Sequence, residues 1–434
     1  MSSRLRDPNT LRWLFWGILA GVFLLVNVYR LSTAVITDQL MAAFLISGTQ
    51  LGTLHAAFFW IYAMMQIPTG ILADRVGPRI TAAVGGAVMS LGGIWFALAG
   101  SYFAAFSART LIGLGGSVIF VSILKFCANW FRAEEFATVT GFSFAISGVG
   151  GMLATTPLAV VVDSTGWRTT LGGLGVFGLA LAACTLVFVR DSPRRAGLPE
   201  IEGVPDRPTP DLRTVSDHIT NVLADRVTWV VSLMLFCASG LNLTLFGLWG
   251  IPYVVQTYDT SVAYASLFTL VGSLGVMVGP PAIGWFSDRI GRRTELMILG
   301  GVGYTAALGT IALLGDPPLA VVAIAYFLVG ALLGGFVLSY TITKERHPPS
   351  ASGVATGTIN GAAFLGAAAL PAIMGFALDA YWTGELIDGV RIYTQFGYRV
   401  AFAIGAACGF VGLLCAVWLH RYEARIDVLT DGSE

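Results

Sequence analysis

The residue with the most distinctive chemistry is Arg30, which lies within an apolar run near the start of the chain. Its planar guanidinium group can hold a carboxylate or a phosphate through two parallel hydrogen bonds. A charged side chain in hydrocarbon costs about 2.5 kcal/mol or more, so it is commonly kept for a partner or a ligand. Arg30 therefore indicates anion recognition, and Lys125 in another apolar run is a second, weaker candidate.

Both cations have an alternative explanation, in which the side chain extends along its helix to the membrane surface. Arg30 follows Trp13 by 17 residues, and Lys125 precedes Trp130 by five. At about 1.5 Å per residue, these offsets are about 25 Å and about 7.5 Å. Ligand binding and snorkelling both stay open for these two side chains.

Polar and aromatic residues recur at helical spacing in two further apolar runs. At intervals of four, three and four residues, one run carries His55, Phe59, Tyr62 and Gln66, and the other carries Asn242, Phe246, Trp249 and Tyr253. This spacing places each set on one helix face. The functional interpretation is that these faces line a central cavity, and the alternative is ordinary helix packing. His55 could also act as a proton relay, because histidine titrates near neutral pH.

A charged pattern of ten residues occurs twice. Residues 70–79, GILADRVGPR, and 284–293, GWFSDRIGRR, lie 214 positions apart and share the spacing G-x-x-x-D-R-x-G-x-R. Each copy follows an apolar run, so we expect Asp74 and Asp288 at helix ends, where they accept hydrogen bonds from a neighbouring helix N-terminus. The basic residues of the pattern are expected to tie adjacent helix ends together: Arg75, Arg79, Arg289 and Arg293.

The elements that must position these residues are membrane helices. The sequence is 56% hydrophobic and 12% charged, whereas about a quarter of the residues of a soluble domain are charged. Spans need about 20 apolar residues, and twelve stretches meet this: 11–40, 50–73, 80–99, 102–126, 136–160, 169–189, 227–256, 263–287, 294–314, 318–342, 353–380 and 397–420. Because long Gly- and Ala-rich runs favour helices over barrel strands, the expected fold class is an all-α polytopic membrane protein with 12 transmembrane helices.

The repeat sets the expected domain organisation. Asp163 and Asp379 also match, 216 residues apart, and two halves repeated in one orientation are typical of parallel-repeat transporters. We expect an N-terminal six-helix bundle at 1–189 and a C-terminal six-helix bundle with a short tail at 227–434. The segment 190–226 contains five prolines among charged residues, which suits a linker.

Positive charge is distributed unevenly over this arrangement. Of the 25 Lys and Arg residues, 19 lie in the tails, the even-numbered loops and the central loop when Arg12, at the edge of the first span, is counted with its tail. Three lie on the opposite side when Arg399, at the edge of the last span, is counted with its loop, and Arg30, Arg109 and Lys125 lie within spans. Cytoplasmic loops carry the excess of Lys and Arg. Both termini and the linker are therefore expected in the cytoplasm, with the chain in the inner (cytoplasmic) membrane.

Several function classes are not expected. The five cysteines lie in apolar runs without CxxC or Cys/His spacing, so no metal site or disulfide framework is indicated. The sequence contains no G-x-x-x-x-G-K-[ST] loop, which argues against transport driven by ATP. We expect no enzyme activity, no cofactor and no nucleic-acid partner; the expected partners are a small molecule and the lipid bilayer, with the chain acting as a monomer.

These motifs resemble the major facilitator superfamily. The paired loops resemble its loop 2-3 signature and the loop 8-9 counterpart, Arg109 in ARTLIGLGG resembles its fourth-helix Arg motif, and Trp130-Phe131 followed by Gly141 and Gly148 resembles its fifth helix. The resemblance implies two pseudo-symmetric six-helix bundles that rock to give alternating access. It further implies that the paired loops hold the cytoplasmic side shut, and that Arg109 has a packing or gating role.

Within the superfamily, Tyr29-Arg30 and the segment FFWIYAMMQIPTG look most like the organic anion and sugar-phosphate permeases. In anion-transporting relatives a helix-one Arg, a helix-two Tyr and a helix-eleven Asn contact the substrate, and Arg30, Tyr62 and Asn360 match those positions. The expected function is secondary transport of a sugar acid, carboxylate or sugar phosphate. The alternatives are a drug/proton efflux antiporter and a transporter-like membrane sensor.

The sequence also bears on coupling. Sugar-acid transporters of this kind use a helix-one Asp and a helix-four Glu to carry a proton, but Tyr29 occupies the first position and the fourth predicted span contains no acid. Exchange of one anion for another is therefore favoured. Coupling to a different ion and a proton relay through His55 stay as alternatives.

Overall fold

The computed structural model describes residues 7–199, 201–204, 212–348 and 351–431. Within these ranges, the side chains outside the description are those of Ile67, Ile71, Asp74, Ala133, Ala137, Ser352 and residues 212–216 and 426–431. The predicted linker at 190–226 therefore lies partly outside the described residues.

The described chain is almost entirely helical. Its α-helices are α1 (Pro8–Leu31), α2 (Thr37–Phe44), α3 (Gly48–Met64), α4 (Gln66–Val76), α5 (Pro78–Leu98), α6 (Tyr102–Ser117), α7 (Ile119–Trp130), α8 (Ala133–Leu153), α9 (Thr156–Thr165), α10 (Trp167–Phe188), α11 (Leu212–Ala224), α12 (Arg226–Thr244), α13 (Gly250–Tyr258), α14 (Val262–Ile290), α15 (Arg293–Leu314), α16 (Leu319–Val337), α17 (Ser339–Arg346), α18 (Ser352–Asp379) and α19 (Gln395–Asp431). Short 3-10 turns cover Ser32–Ala34 and Arg194–Ala196, and a π-helical segment covers Leu245–Trp249.

Within the described residues, eleven helices are long and apolar enough to cross a membrane. The number becomes twelve when the bent pair Thr37–Phe44 and Gly48–Met64 is counted as one span. The all-α polytopic fold class predicted from the sequence is confirmed. Three of these spans each consist of two consecutive α-helices: α6 with α7, α12 with α13, and α16 with α17.

The first predicted span, 11–40, divides into separate elements. α1 ends at Leu31, and α2 begins only at Thr37. Leu45 ends α2 in a left-handed conformation with φ 53°, and the helix axis turns by 114° into α3. Hydropathy predicted one helix here because it depends only on how apolar the residues are. It does not show where side chains, instead of backbone N–H groups, donate to the last carbonyls of a helix.

The seventh predicted span contains the π-helical segment between α12 and α13. Gly250 directly follows this segment, and its carbonyl oxygen accepts a hydrogen bond from the Tyr326 hydroxyl at 2.9 Å. Such π segments inside α-helices are frequent at functional sites. This span therefore has a local irregularity that its apolar composition did not predict.

Contacts divide the chain into two compact units. The first unit comprises Met1–Thr33 and Ala57–Asp211, and the second comprises Ala34–Ala56 and Leu212–Glu434. In the first unit α5 packs along α10 and α6. In the second unit α14 packs along α16, α15 along α19 and α12 along α18. A Cβ atom at Gly279 would collide with the backbone of Ala331, so small residues permit these close helix approaches.

A β-hairpin connects α18 to α19. Strands β1 (Trp382–Ile387) and β2 (Val390–Tyr393) pair in antiparallel register. The turn residues Asp388 and Gly389 have φ values of 50° and 81°. The Asp-Gly pair favours this two-residue turn, since both central positions require positive φ.

Candidate functional site

Arg30 is the penultimate residue of α1 and is half-buried. Its guanidinium carbon lies 5.2 Å from the centre of the Tyr62 ring and 5.9 Å from that of Phe58. The Arg30 and Tyr62 side chains are also hydrogen-bond partners. Phe58 and Tyr62 stand one turn apart on α3 with their rings stacked at 5.6 Å. The helix-one cation predicted from the sequence thus lies on an aromatic surface from α3, within the first unit.

Arg109 lies against the end of α1. Its Nη1 donates to the Tyr29 carbonyl oxygen at 2.9 Å, and its Nη2 donates to the Arg30 carbonyl oxygen at 3.3 Å. The residue is 1% exposed, and its guanidinium carbon is 5.8 Å from the centre of the Phe58 ring. The last carbonyls of a helix have no intrahelical donor, so Arg109 supplies donors where α1 stops.

Other polar residues of α1 are bound within the first unit. The Asn27 side chain donates to the Phe23 carbonyl oxygen at 2.8 Å and accepts from the Ser147 hydroxyl at 2.7 Å. The Tyr29 hydroxyl donates to the Leu171 carbonyl oxygen at 2.9 Å. Asn27 and Tyr29 are therefore bound to α8 and α10, respectively.

Three further predicted residues lie in different surroundings. Lys125 is half-buried on α7. Gln66 begins α4, and its amide donates to the Tyr62 carbonyl oxygen at 3.4 Å. His55 is fully buried on α3 and belongs to the second unit, whereas Tyr62 belongs to the first. The helix-two stripe predicted as one face is thus divided between the two units.

The candidates of the seventh span are buried in the second unit. Trp249 donates through Nε1 to the Pro371 carbonyl oxygen at 3.1 Å, and the Tyr253 hydroxyl donates to the Gly315 carbonyl oxygen at 2.9 Å. Asn242 is 6% exposed. The polar atoms of both aromatic residues are therefore bound to backbone carbonyls inside the unit.

Asn360, the predicted helix-eleven residue, is half-buried on α18. Its amide oxygen accepts a hydrogen bond from the Tyr340 hydroxyl at 2.8 Å. Tyr340 was missed by the sequence reasoning, because no spacing relates α17 to α18. The pair offers a neutral polar group in the second unit.

The first copy of the charged pattern is tied to the end of α10. Asp191 accepts from the Arg79 backbone N–H at 2.8 Å and from the Arg195 guanidinium at 2.8 Å. The Arg79 side chain donates to the Leu186 carbonyl oxygen. Arg75 is exposed, and the side chain of Asp74 lies outside the described residues. Asp191, which lies outside the ten-residue pattern, thus accepts from the N–H of the second residue of α5 and caps this helix start.

The second copy has different partners. Arg293 pairs with Glu345, and its Nη2 lies 4.0 Å from Oδ1 of Asp288, a carboxylate that is 76% exposed. Arg289 lies over the Trp285 ring at 5.4 Å. The loop borders a polar cavity of about 510 Å³ beside α17 and α19. Both copies thus connect a helix end to a neighbouring helix, but through different acids.

Near that cavity, Asp225 precedes α12 and accepts from the Arg346 guanidinium at 3.3 Å. Burial raises the pKa of Asp225, but hydrogen bonds from Arg346, the Val227 N–H and Thr228 outweigh it and hold the pKa below its ordinary value. The carboxylate therefore stays charged and joins the start of α12 to the end of α17.

A second cluster that the sequence did not reveal surrounds Asp379, the last residue of α18. Its carboxylate accepts from the backbone N–H groups of Gly48 and Thr49, each at 2.8 Å, and from the Thr49 hydroxyl at 2.6 Å. Arg391 and Tyr393 of the hairpin donate to Oδ1, each at 3.4 Å. Burial raises the pKa of the Tyr393 hydroxyl above its ordinary value, so it stays protonated. Asp379 therefore caps α3 within the second unit.

A comparison with known families decides what these elements belong to. The family model described as Major Facilitator Superfamily matches residues 17–371 and 233–432. The chain belongs to the Major Facilitator Superfamily. The resemblance seen in the paired loops and in the Arg109 motif is thereby confirmed at the level of the family. The family and the relatives matched below are transporters rather than enzymes, so this superfamily member is a multi-pass membrane transporter.

Curated relatives of this superfamily member include transporters of small anions. The chain is 24% identical over 305 residues to a probable sulfoacetate transporter of Cupriavidus necator, with 69% of this chain and 71% of the relative covered. It is 22% identical over 399 residues to a D-galactonate transporter of Escherichia coli O6:H1, with 86% of this chain and 91% of the relative covered.

The fold of the superfamily is also seen in solved structures. A bacterial homologue of the human lysosomal transporter Spinster, in an inward-facing and occupied conformation, matches with a TM-score of 0.75. The match covers 94% of this chain and 97% of the other at 16% identity. At this identity the likeness shows the fold alone.

Proposed function

We propose that this transporter moves a small organic anion, such as a sugar acid, a carboxylate or a sugar phosphate, across the cell membrane by alternating access. The single observation that carries the proposal is Arg30, half-buried at the end of α1 and placed on the stacked rings of Phe58 and Tyr62. A carboxylate or phosphate can meet the guanidinium fork with two hydrogen bonds.

Further polar groups would complete recognition. The neutral residues Gln66, Asn242 and Asn360 and the cation Lys125 stay proposed contacts, with Trp249 and Tyr253 as buried supports of the seventh span. The names of the two relatives support an anionic substrate, because sulfoacetate and D-galactonate both carry negative charge. We further propose a monomer in the inner membrane with both termini in the cytoplasm, and gating by the two charged loops at residues 70–79 and 284–293.

Counterflow in proteoliposomes tests the function. Vesicles loaded with unlabelled D-galactonate or sulfoacetate should take up the labelled anion transiently, and vesicles without protein should not. Binding without counterflow would support a sensor, and counterflow of cationic drugs alone would support an efflux antiporter. Either outcome would contradict the proposal.

The same vesicles test the proposed exchange mechanism. Because no acid lies in the fourth predicted span, uptake should require internal anion and respond little to an imposed pH gradient. Strong uptake into empty vesicles that is driven by a proton gradient would contradict exchange. His55→Gln then separates a histidine relay, which it abolishes, from a carrier group elsewhere.

A further inference from the structure

At the end of α1, a side chain from another helix binds the last backbone carbonyls. The Ser32 N–H makes the last regular bond of α1, to the Val28 carbonyl oxygen. Beyond it, the Tyr29 and Arg30 carbonyl oxygens would need N–H groups four residues further on. Arg109 donates to both oxygens with its two Nη atoms, and the Ser32 hydroxyl also donates to the Tyr29 oxygen at 3.0 Å. Both carbonyls therefore have side-chain donors where the helix ends.

The same guanidinium also contacts the aromatic surface on which Arg30 rests. The Phe58 ring centre lies 5.9 Å from the guanidinium carbon of Arg30 and 5.8 Å from that of Arg109. Helix α6, which carries Arg109, approaches α3 so closely that a Cβ atom at Gly113 would collide with the Phe58 carbonyl oxygen. Helix α6 therefore fixes both the backbone of Arg30 and one ring beneath its side chain.

Arg109 itself is too deeply buried to meet a substrate. Its exposed fraction is 1%, whereas Arg30 is half-buried. On its other side the end of α1 is held by the Tyr29 hydroxyl, which donates to the Leu171 carbonyl oxygen. The two anchors leave residue 30 little freedom to change its direction.

We propose that Arg109 is a positioning residue that sets the direction of the Arg30 guanidinium and thereby the affinity for the anion. The inference rests on the proposed function of Arg30 as the anion-binding group. Lysine at position 109 keeps the charge, but its single ammonium lacks the planar fork that reaches two carbonyl oxygens at once. Arg109→Lys should therefore lower affinity while the protein stays folded.

A double-mutant cycle in purified protein tests this. Affinities for D-galactonate and sulfoacetate are measured for the parent, Arg109→Lys, Arg30→Ala and the double variant. We expect Arg109→Lys to lower the parent's affinity about tenfold and to change the Arg30→Ala affinity less than about twofold, since coupled residues are not additive. Equal effects of Arg109→Lys in both backgrounds would overturn the inference.

Arg168 provides a matched control. It is another arginine of the first unit that donates to a backbone carbonyl, Ala99 at 3.3 Å, and it lies over the Trp167 ring. Arg168→Lys should leave affinity within about twofold of the parent in both backgrounds. A loss as large as that of Arg109→Lys would show a general effect of arginine removal and would overturn the positioning role.

Amide hydrogen exchange adds a readout that needs no ligand. Arg109→Lys should accelerate exchange at residues 28–36, and Arg168→Lys should not. Unchanged exchange at 28–36 would overturn the inference. If Arg30→Ala binds both anions like the parent, the proposed function of Arg30 fails. Hydrogen exchange separates that outcome from failure of the Arg109 inference, because it reports only on the end of α1.

Discussion

The two units use the same aromatic and polar spacing in different ways. On α3, Tyr62 faces a cation and is its hydrogen-bond partner. In the stripe of the second unit, Tyr253 donates to the Gly315 carbonyl oxygen at the end of α15 and packs against other rings. One stripe therefore contacts a charged side chain, and the other binds a backbone carbonyl at a helix end. Equal residue spacing in the two stripes predicts that each set of side chains lies on one face of its helix. The function of that face depends on which polar group the neighbouring helix presents.

We propose that this difference places charge recognition in the first unit. At the end of α1, Arg30 of α1 is half-buried and Arg109 of α6 is 1% exposed. The second unit contains the neutral pair of Tyr340 and Asn360. Substitutions in the two units should therefore change different quantities.

The largest contrast is expected between Tyr253→Phe and Tyr62→Phe. Tyr253→Phe leaves a buried carbonyl without its donor, which should lower the free energy of unfolding by about 1–3 kcal/mol without changing anion affinity. Tyr62→Phe removes a partner of Arg30 and should weaken anion binding by about 1 kcal/mol, roughly fivefold. Thermal unfolding and a binding titration measure the two effects. The comparison breaks if Tyr253→Phe lowers affinity more than Tyr62→Phe.

An intermediate contrast is expected between the matched acids Asp379 and Asp163. Asp379→Asn weakens the cap on α3 and should lower stability by about 0.5–2 kcal/mol. Asp163 is exposed on α9, so Asp163→Asn should change stability by no more than about 0.5 kcal/mol. Both are measured by thermal unfolding in one detergent. Equal losses would show that the two repeats use these acids alike.

The smallest contrast concerns the two charged loops. Glu345 is 55% exposed where it pairs with Arg293, and exposed pairs contribute about 0–1 kcal/mol. Asp191 caps α5 and is only 11% exposed at its side chain, so Asp191→Asn should cost about 1 kcal/mol. Thermal unfolding should therefore rank Asp191→Asn as more damaging than Glu345→Gln, and the reverse ranking would contradict the assignment of the caps.

Much of this arrangement could be predicted from the sequence. Apolar runs gave the fold class, the repeated loops gave the family, and an arginine within an apolar run singled out Arg30 as the candidate anion-binding residue. These features are local, because hydropathy and spacing are properties of consecutive residues. The hairpin also had a local signal in Asp388-Gly389, which the analysis of spans left unused.

Other features depend on contacts that no spacing encodes. Asp379 caps a helix that begins 331 residues earlier, and Arg109 meets α1 through backbone carbonyls, which carry no sequence signal. Phe58 was missed because the helical stripe passes through its neighbour Phe59. Such partners depend on which helices lie next to each other, and helix packing in the folded protein determines this.

The central claim is that Arg30 recognises the negative charge of the substrate, and the most direct measurement compares anions with neutral molecules of the same shape. Thermal unfolding of the parent, Arg30→Lys and Arg30→Ala is followed with D-galacturonate and D-galactose, and with glucose 6-phosphate and glucose. Ligands that bind the native state raise its stability. We predict that at least one anion stabilises the parent while its neutral partner does not, and that both variants lose this stabilisation because neither has the guanidinium fork. Stabilisation of Arg30→Ala by an anion to the same extent as the parent, or stabilisation of the parent by neutral sugars alone, would contradict the account.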